Sequence, residues 1–195
     1  MSRCRGRSHT GTQPLLALLA LVLVGPSAAV AQPTNPSFEP GLAGWTAGGD
    51  ASTNDAVYGS NPTEGGFQAF LRASPAALTT AAALESTLGL SPGSLDALGN
   101  GTTRRGSGIL QTFTANTGDV IAFDWNFLTD EPIASRANDF AFVAIDGGPP
   151  IELADTTFFP SVPSKTDRAR ETGYRSYCYT IPTSGAHSLA FGVAD

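Results

Sequence analysis

The sequence predicts an all-β fold: an antiparallel, jelly-roll-like β-sandwich carrying a small helical insertion. Three observations lead there. Several runs in the second half alternate apolar and polar residues with the period of two that places side chains on opposite faces of a strand. Short clusters of Gly, Pro, Asp, Asn and Ser separate those runs, as turns between antiparallel strands require. One Ala- and Leu-rich stretch, about residues 76–98, breaks the pattern and reads as helix.

The first 31 residues stand outside the domain. Arg3, Arg5 and Arg7 precede an unbroken apolar run over residues 15–24, and Gly25-Pro26 breaks it. Ala29-Val30-Ala31 then supplies the small-x-small pattern read by a signal peptidase. The run is about half the roughly 20 residues that a spanning helix needs. Residues 1–31 are therefore expected to be a signal peptide, and residues 32–195 a single exported domain with no membrane span.

Within that domain, residues 67–71 form a weak strand. Residues 76–88 read as helix, and Ser91-Pro92 is an N-cap and first-turn pair for a short second helix to Leu98, stopped by Gly99-Asn100-Gly101. Residues 109–114 form another weak strand, and Thr117-Gly118-Asp119 a turn. Ile121, Phe123, Trp125 and Phe127 then alternate with Ala122, Asp124 and Asn126, a strand with one wet face. Residues 140–145, FAFVAI, are apolar on both faces, as in a central strand. After a long connection, Tyr177, Tyr179 and Ile181 alternate, Thr183-Ser184-Gly185 turns the chain, and Leu189, Phe191 and Val193 form the final strand. That strand is still running two residues before Asp195. The domain is thus expected to lack its last strand and any C-terminal sorting tail, which would leave a first strand around residues 37–39 unpaired.

Composition narrows the function. The net charge is −6, and loss of the leader removes three basic residues and no acidic ones. An acidic surface repels phosphate backbones, so nucleic acid is not an expected partner. Cys4 leaves with the leader, so Cys178 would remain as a lone, small buried side chain. His187, just after a turn, reads as a satisfied surface histidine. The sequence contains no HExxH, GxxxxGK[ST], GxGxxG or paired CxxC motif. A carboxylate pair for glycoside hydrolysis is easy to draw from seventeen acidic residues and weak for that reason.

Oxygen ligands give a sharper pattern. Asp130-Glu131 closes one strand and Asn138-Asp139 opens the next, so a hairpin would place them at one end of the sheet. Calcium takes six to eight such oxygens. Glu131, Asn138 and Asp139, with Glu39 as a further candidate, are the expected ligands of a structural Ca2+. Of the two tryptophans, Trp45 is the candidate for contact with a glycan, although both sit in apolar patterns that suit a core.

Asn35-Pro36-Ser37-Phe38-Glu39 followed by Gly44-Trp45 resembles the opening of bacterial secreted domains of the galactose-binding, carbohydrate-module type. Residues 84–102, 123–131 (FDWNFLTDE), 138–148 (NDFAFVAIDGG) and 172–195 look like those of exported PEP-CTERM-type proteins. The resemblance implies a jelly-roll-like sandwich, usually with structural calcium, ahead of a sorting tail. This chain departs from it: no Pro-Glu-Pro motif, spanning segment or basic tail follows Asp195. The expected function is that of a secreted, non-enzymatic surface or extracellular-matrix protein. Its carbohydrate-binding-like domain would meet an exopolysaccharide or a cell-surface glycan. A polysaccharide-active hydrolase or its accessory module, and a purely structural surface protein, are the alternatives.

Overall fold

A computed structural model describes residues 33–55, 59–73, 79–131, 138–157 and 162–195. The expected signal peptide and its cleavage point lie outside the described residues. In chain order the strands are β1 (Thr46–Gly48), β2 (Asp50–Asn54), β3 (Gln68–Arg72) and β4 (Thr79–Thr80), followed by helix α1 (Ala81–Thr87). Next come β5 (Arg105–Ala115), β6 (Val120–Trp125), β7 (Leu128–Thr129), β8 (Phe140–Ile145) and β9 (Ile151–Asp155). The last are β10 (Val162–Pro163), β11 (Arg170–Glu171), β12 (Arg175–Thr180) and β13 (Gly185–Ala194).

The fold is mostly β, with antiparallel sheets and one short helix. A six-stranded sheet in the order β1-β5-β13-β8-β9, with β4 added beside β5, forms the centre. Two hairpin-like pairs, β2-β3 and β6-β12, and a small β10-β11-β7 sheet complete it. Strand periodicity decides which residues face which side. Along β8, Phe140, Phe142 and Ala144 pack with Ala190 and Ala194 of β13 beneath Leu84, Leu88, Leu90 and Leu95 from the helical segment. The intervening Val143 joins Trp45, Ile109, Ile121, Ile181 and Leu189 on the opposite face, against Leu71, Phe123 and Tyr177 of the outlying pairs. FAFVAI is apolar on both faces because its strand is covered on both.

The helical segment is shorter than the sequence suggests. Thr80 caps α1, its hydroxyl accepting from the Ala83 amide at 3.3 Å. The helix stops at Leu88, before Gly89 in the left-handed region at φ +69. Only a 3-10 turn, Asp96–Leu98, follows. Glu85, 5% exposed, ties the two parts together: its carboxylate accepts the amides of Gly93 at 2.9 Å and Leu95 at 3.0 Å.

Two other expectations change. Residues 37–39 lie in turns and are not an unpaired strand. The final strand, β13, is the most central of all: it pairs with β5 along Gly185–Ala194 and with β8 from Leu189 onward. Cys178 is half-buried on β12, and no cysteine among the described residues is free, so the lone thiol is not met. No helix among the described residues is long and apolar enough to cross a membrane.

Candidate functional site

The face of the central sheet away from α1 is only partly covered. Between it and the outlying strands lies a cleft of about 870 Å3. From the central sheet it is lined by Ala141, Leu189, Phe191 and Val193. β3 contributes Phe70 and Arg72, and β6 contributes Asp124 and Trp125. Phe67 and Tyr174, both also in the lining, are large and unusually exposed at 39% and 37%. The Tyr174 hydroxyl donates to the Gln68 side-chain carbonyl, so one rim of the cleft touches the other. Burial, the largest influence, raises the Tyr174 pKa and keeps its phenol a donor.

The charged groups of the cleft are unevenly matched. The Arg72 guanidinium bonds Asp50 at 2.7 Å and lies 5.6 Å from the centre of the Phe70 ring. Arg168 bonds Asp130 at 2.7 Å. Asp130 also accepts the Ala169 amide, and these two contacts, the amide first, hold its carboxyl below the ordinary value. Asp139 goes the other way. Burial, then the negative charges of Glu131 and Asp195, push its pKa up to about 6.

The expected calcium ligands do not converge. Glu131 and Asp139 line the cleft and sense each other's charge. Asn138 is committed elsewhere. Its amide nitrogen donates to Asn100 at 2.7 Å and Asp155 at 2.9 Å, and its oxygen accepts from the Thr156 amide and hydroxyl. Glu39 accepts the Gly66 amide at 2.7 Å and fixes the loop before β3. Among the described residues there is no group of three or more His, Cys, Asp or Glu side chains arranged to hold a metal. Asn138 and Glu39 are thus engaged by protein groups outside the Glu131 and Asp139 pair.

Trp45 is 9% exposed and packs between Phe38 at 5.4 Å and Phe191 at 6.1 Å, ring centre to ring centre. Its indole nitrogen donates to the Asn35 carbonyl at 3.3 Å. Its edge reaches the inner end of the cleft, while its bulk belongs to the core. The exposed aromatic positions are Phe67 and Tyr174, which sequence reasoning passed over. Each follows a glycine and directly precedes a strand, a signal visible in Gly66-Phe67 and Gly173-Tyr174. Trp125, assigned to the core, is half-buried and lines the cleft.

No protein-family model matches the chain, and no curated protein matches it. Among solved structures, part of the chain is similar to a family GH115 4-O-methyl-alpha-glucuronidase with specificity for decorated arabinogalactans. The identity is 19% and the TM-score 0.22, over 44% of this chain and 13% of that one. The chain thus spans a small part of that enzyme. The likeness is a weak one to part of a carbohydrate-active enzyme and assigns neither family nor activity. The similarity to PEP-CTERM-type proteins remains a resemblance of sequence stretches.

Proposed function

We propose that this is an exported, non-enzymatic domain that binds a glycan in the cleft between the central sheet and the outlying strands. One observation carries the reading: two exposed aromatic rings, Phe67 and Tyr174, stand in the lining of a large cleft with the polar groups of Gln68, Asp124 and Asn126. Sugar rings present apolar C–H faces and hydroxyl edges, so flat aromatic surfaces beside amides and carboxylates are their chemical complement. Export rests on the leader pattern of residues 1–31, and an exopolysaccharide or cell-surface glycan is the ligand that an exported domain would meet.

The test is calorimetric titration of the chain with a panel of soluble polysaccharides. The expected result is binding that Phe67→Ala with Tyr174→Ala weakens about tenfold or more, with the melting temperature kept within a few degrees. Absence of binding across the panel overturns the proposal.

Asp139 favours a second reading. A carboxyl held to about pH 6 inside a cleft, beside ionisable Glu131, is the arrangement by which glycosidases keep one acid protonated near neutrality. On that reading Asp139 protonates the leaving glycosidic oxygen and Glu131 acts opposite it. Release of reducing ends from a polysaccharide, lost in Asp139→Asn, would replace the binding proposal by this one.

A further inference from the structure

Three turns meet at one end of the central sheet, and one side chain joins two of them. His187, near the start of β13, is 6% exposed and not the surface histidine its position suggested. Its Nδ1 is 2.9 Å from the Asp146 carboxylate, in the turn after β8. Its Nε2 is 2.9 Å from the Thr183 carbonyl, in the turn before β13. Thr183 adjoins Ser184, whose hydroxyl accepts the Thr117 amide at 2.9 Å and so carries the connection into the turn between β5 and β6.

A carboxylate and a carbonyl both accept hydrogen bonds. A neutral imidazole has one N–H and one lone pair, so it satisfies only one of them; the imidazolium, with two N–H groups, satisfies both. The surroundings of His187 are therefore complete only when it is charged. The groups packed against it agree. Asp146 supplies a negative charge, and its other oxygen accepts the Ser188 amide at 2.9 Å. β5 presents the Phe113 ring, at 6.1 Å between centres. The 181–185 turn presents the Thr183 carbonyl and no ionisable side chain. Asp119, in the neighbouring turn, is occupied with the Asn116 amide at 2.8 Å.

We propose that His187 is a pH-operated latch: protonated, it ties the Asp146 turn to the Thr183 turn, and on losing its proton it releases the Thr183 side. Asp146 is the partner kept, because a neutral imidazole protonated at Nδ1 still donates to the carboxylate. The Nε2 lone pair then faces the Thr183 carbonyl, and the turn opens to admit water between them. The hydrogen bond to Asp146, followed by that to Thr183, raises the histidine pKa above its usual 6.5. With the native value raised, the latch's stabilisation is full below pH 6.5 and is lost as pH rises through the native value. The device is independent of the glycan reading.

Nuclear magnetic resonance on the full chain, labelled at histidine, tests it. The chain has two histidines, and His187→Gln assigns the signal. The expected titration midpoint lies above 6.5, with both ring nitrogens protonated below it. Amide exchange over residues 183–188 should then rise across that midpoint by severalfold more than the intrinsic base-catalysed rate, while β8 stays protected. Asp146→Asn should lower the midpoint and move the exchange step with it. A wild-type midpoint at or below 6.5, or exchange over 183–188 that follows the intrinsic rate alone, overturns the proposal. Should either variant fail to fold, the wild-type titration and exchange decide it.

Discussion

The two faces of the central sheet are built from the same strands and end differently. On the α1 face the strands carry glycines where leucines come down from the helical segment and where Phe142 of β8 lies across from Gly192 of β13. A Cβ on Gly108 would stand 2.8 Å from a methyl of Leu88, and one on Gly192 would run into the Phe142 ring. The result is a closed layer in which Leu84, Phe142 and Leu95 have no exposed surface. On the other face the strands carry Phe113, Leu189 and Phe191, and two separate strand pairs lie against them. The strand pairs are not drawn down onto glycines as the helical segment is, and a cleft remains where the first face has a seam. One sheet thus has one side closed by packing and the other opening onto a cleft.

The largest expected effect breaks the closed face. Phe142→Ala empties the space over Gly192 and should cost about 3–5 kcal/mol, read by urea denaturation. A loss below about 1 kcal/mol would show that the seam is not tightly packed. Trp45→Ala sharpens the comparison from the opposite face. If Trp45 is core, it too should cost about 3–5 kcal/mol, whereas a ligand-contacting tryptophan would alter binding with the stability kept.

Next comes the link between the central sheet and the β2-β3 pair. Ser107, with no exposed surface, accepts the Asp50 amide at 2.7 Å and donates to the Arg72 carbonyl at 2.7 Å. Ser107→Ala strips both partners and should cost about 1–3 kcal/mol. Hydrogen exchange should rise first in β2 and β3 and last in β8. Uniform loosening would show that the cleft wall is not a separable unit.

Asp139 gives a smaller, pH-dependent effect. Its native pKa, about 6, lies above the ordinary 3.8. The folded state therefore holds the proton more tightly than the unfolded one. Its relative stabilisation is full below about pH 3.8 and is lost as pH rises to about 6. Asp139→Asn should accordingly melt higher than the wild type at pH 7 and lose that advantage near pH 3.5. An advantage that is the same at both values would mean the carboxyl is not perturbed. The smallest effect should be that of Tyr174→Phe. It removes the rim contact with Gln68 and should change stability by no more than about 0.5 kcal/mol.

Much of the fold is legible in the residues themselves. The alternation of Ile121 and Phe123, of Tyr177 and Tyr179, and of Leu189, Phe191 and Val193 gives β6, β12 and β13, because a strand's side chains alternate whatever its neighbours are. The doubly apolar FAFVAI declares a covered strand for the same reason. The site was less legible. Glu131 and Asp139 could be grouped from sequence because they are close along the chain, although the expected hairpin does not form: β7 pairs with β11 and β8 with β13 and β9. Asn138, beside Asp139, could not be removed from that group, since its partners Asn100 and Asp155 come from distant parts of the chain.

What the sequence determined by itself is local: strand period, turn positions and the leader pattern. All of these depend on residues within a few positions of one another. Tertiary structure decided the rest. It placed β13 at the centre of the sheet, tied the turn after α1 to the Glu85 carboxylate, and buried His187 between two acceptors. It also brought Phe67 and Tyr174 to one cleft from strands far apart in the chain. Pairing and burial between distant segments depend on which surfaces meet, and no local pattern of side chains carries that information.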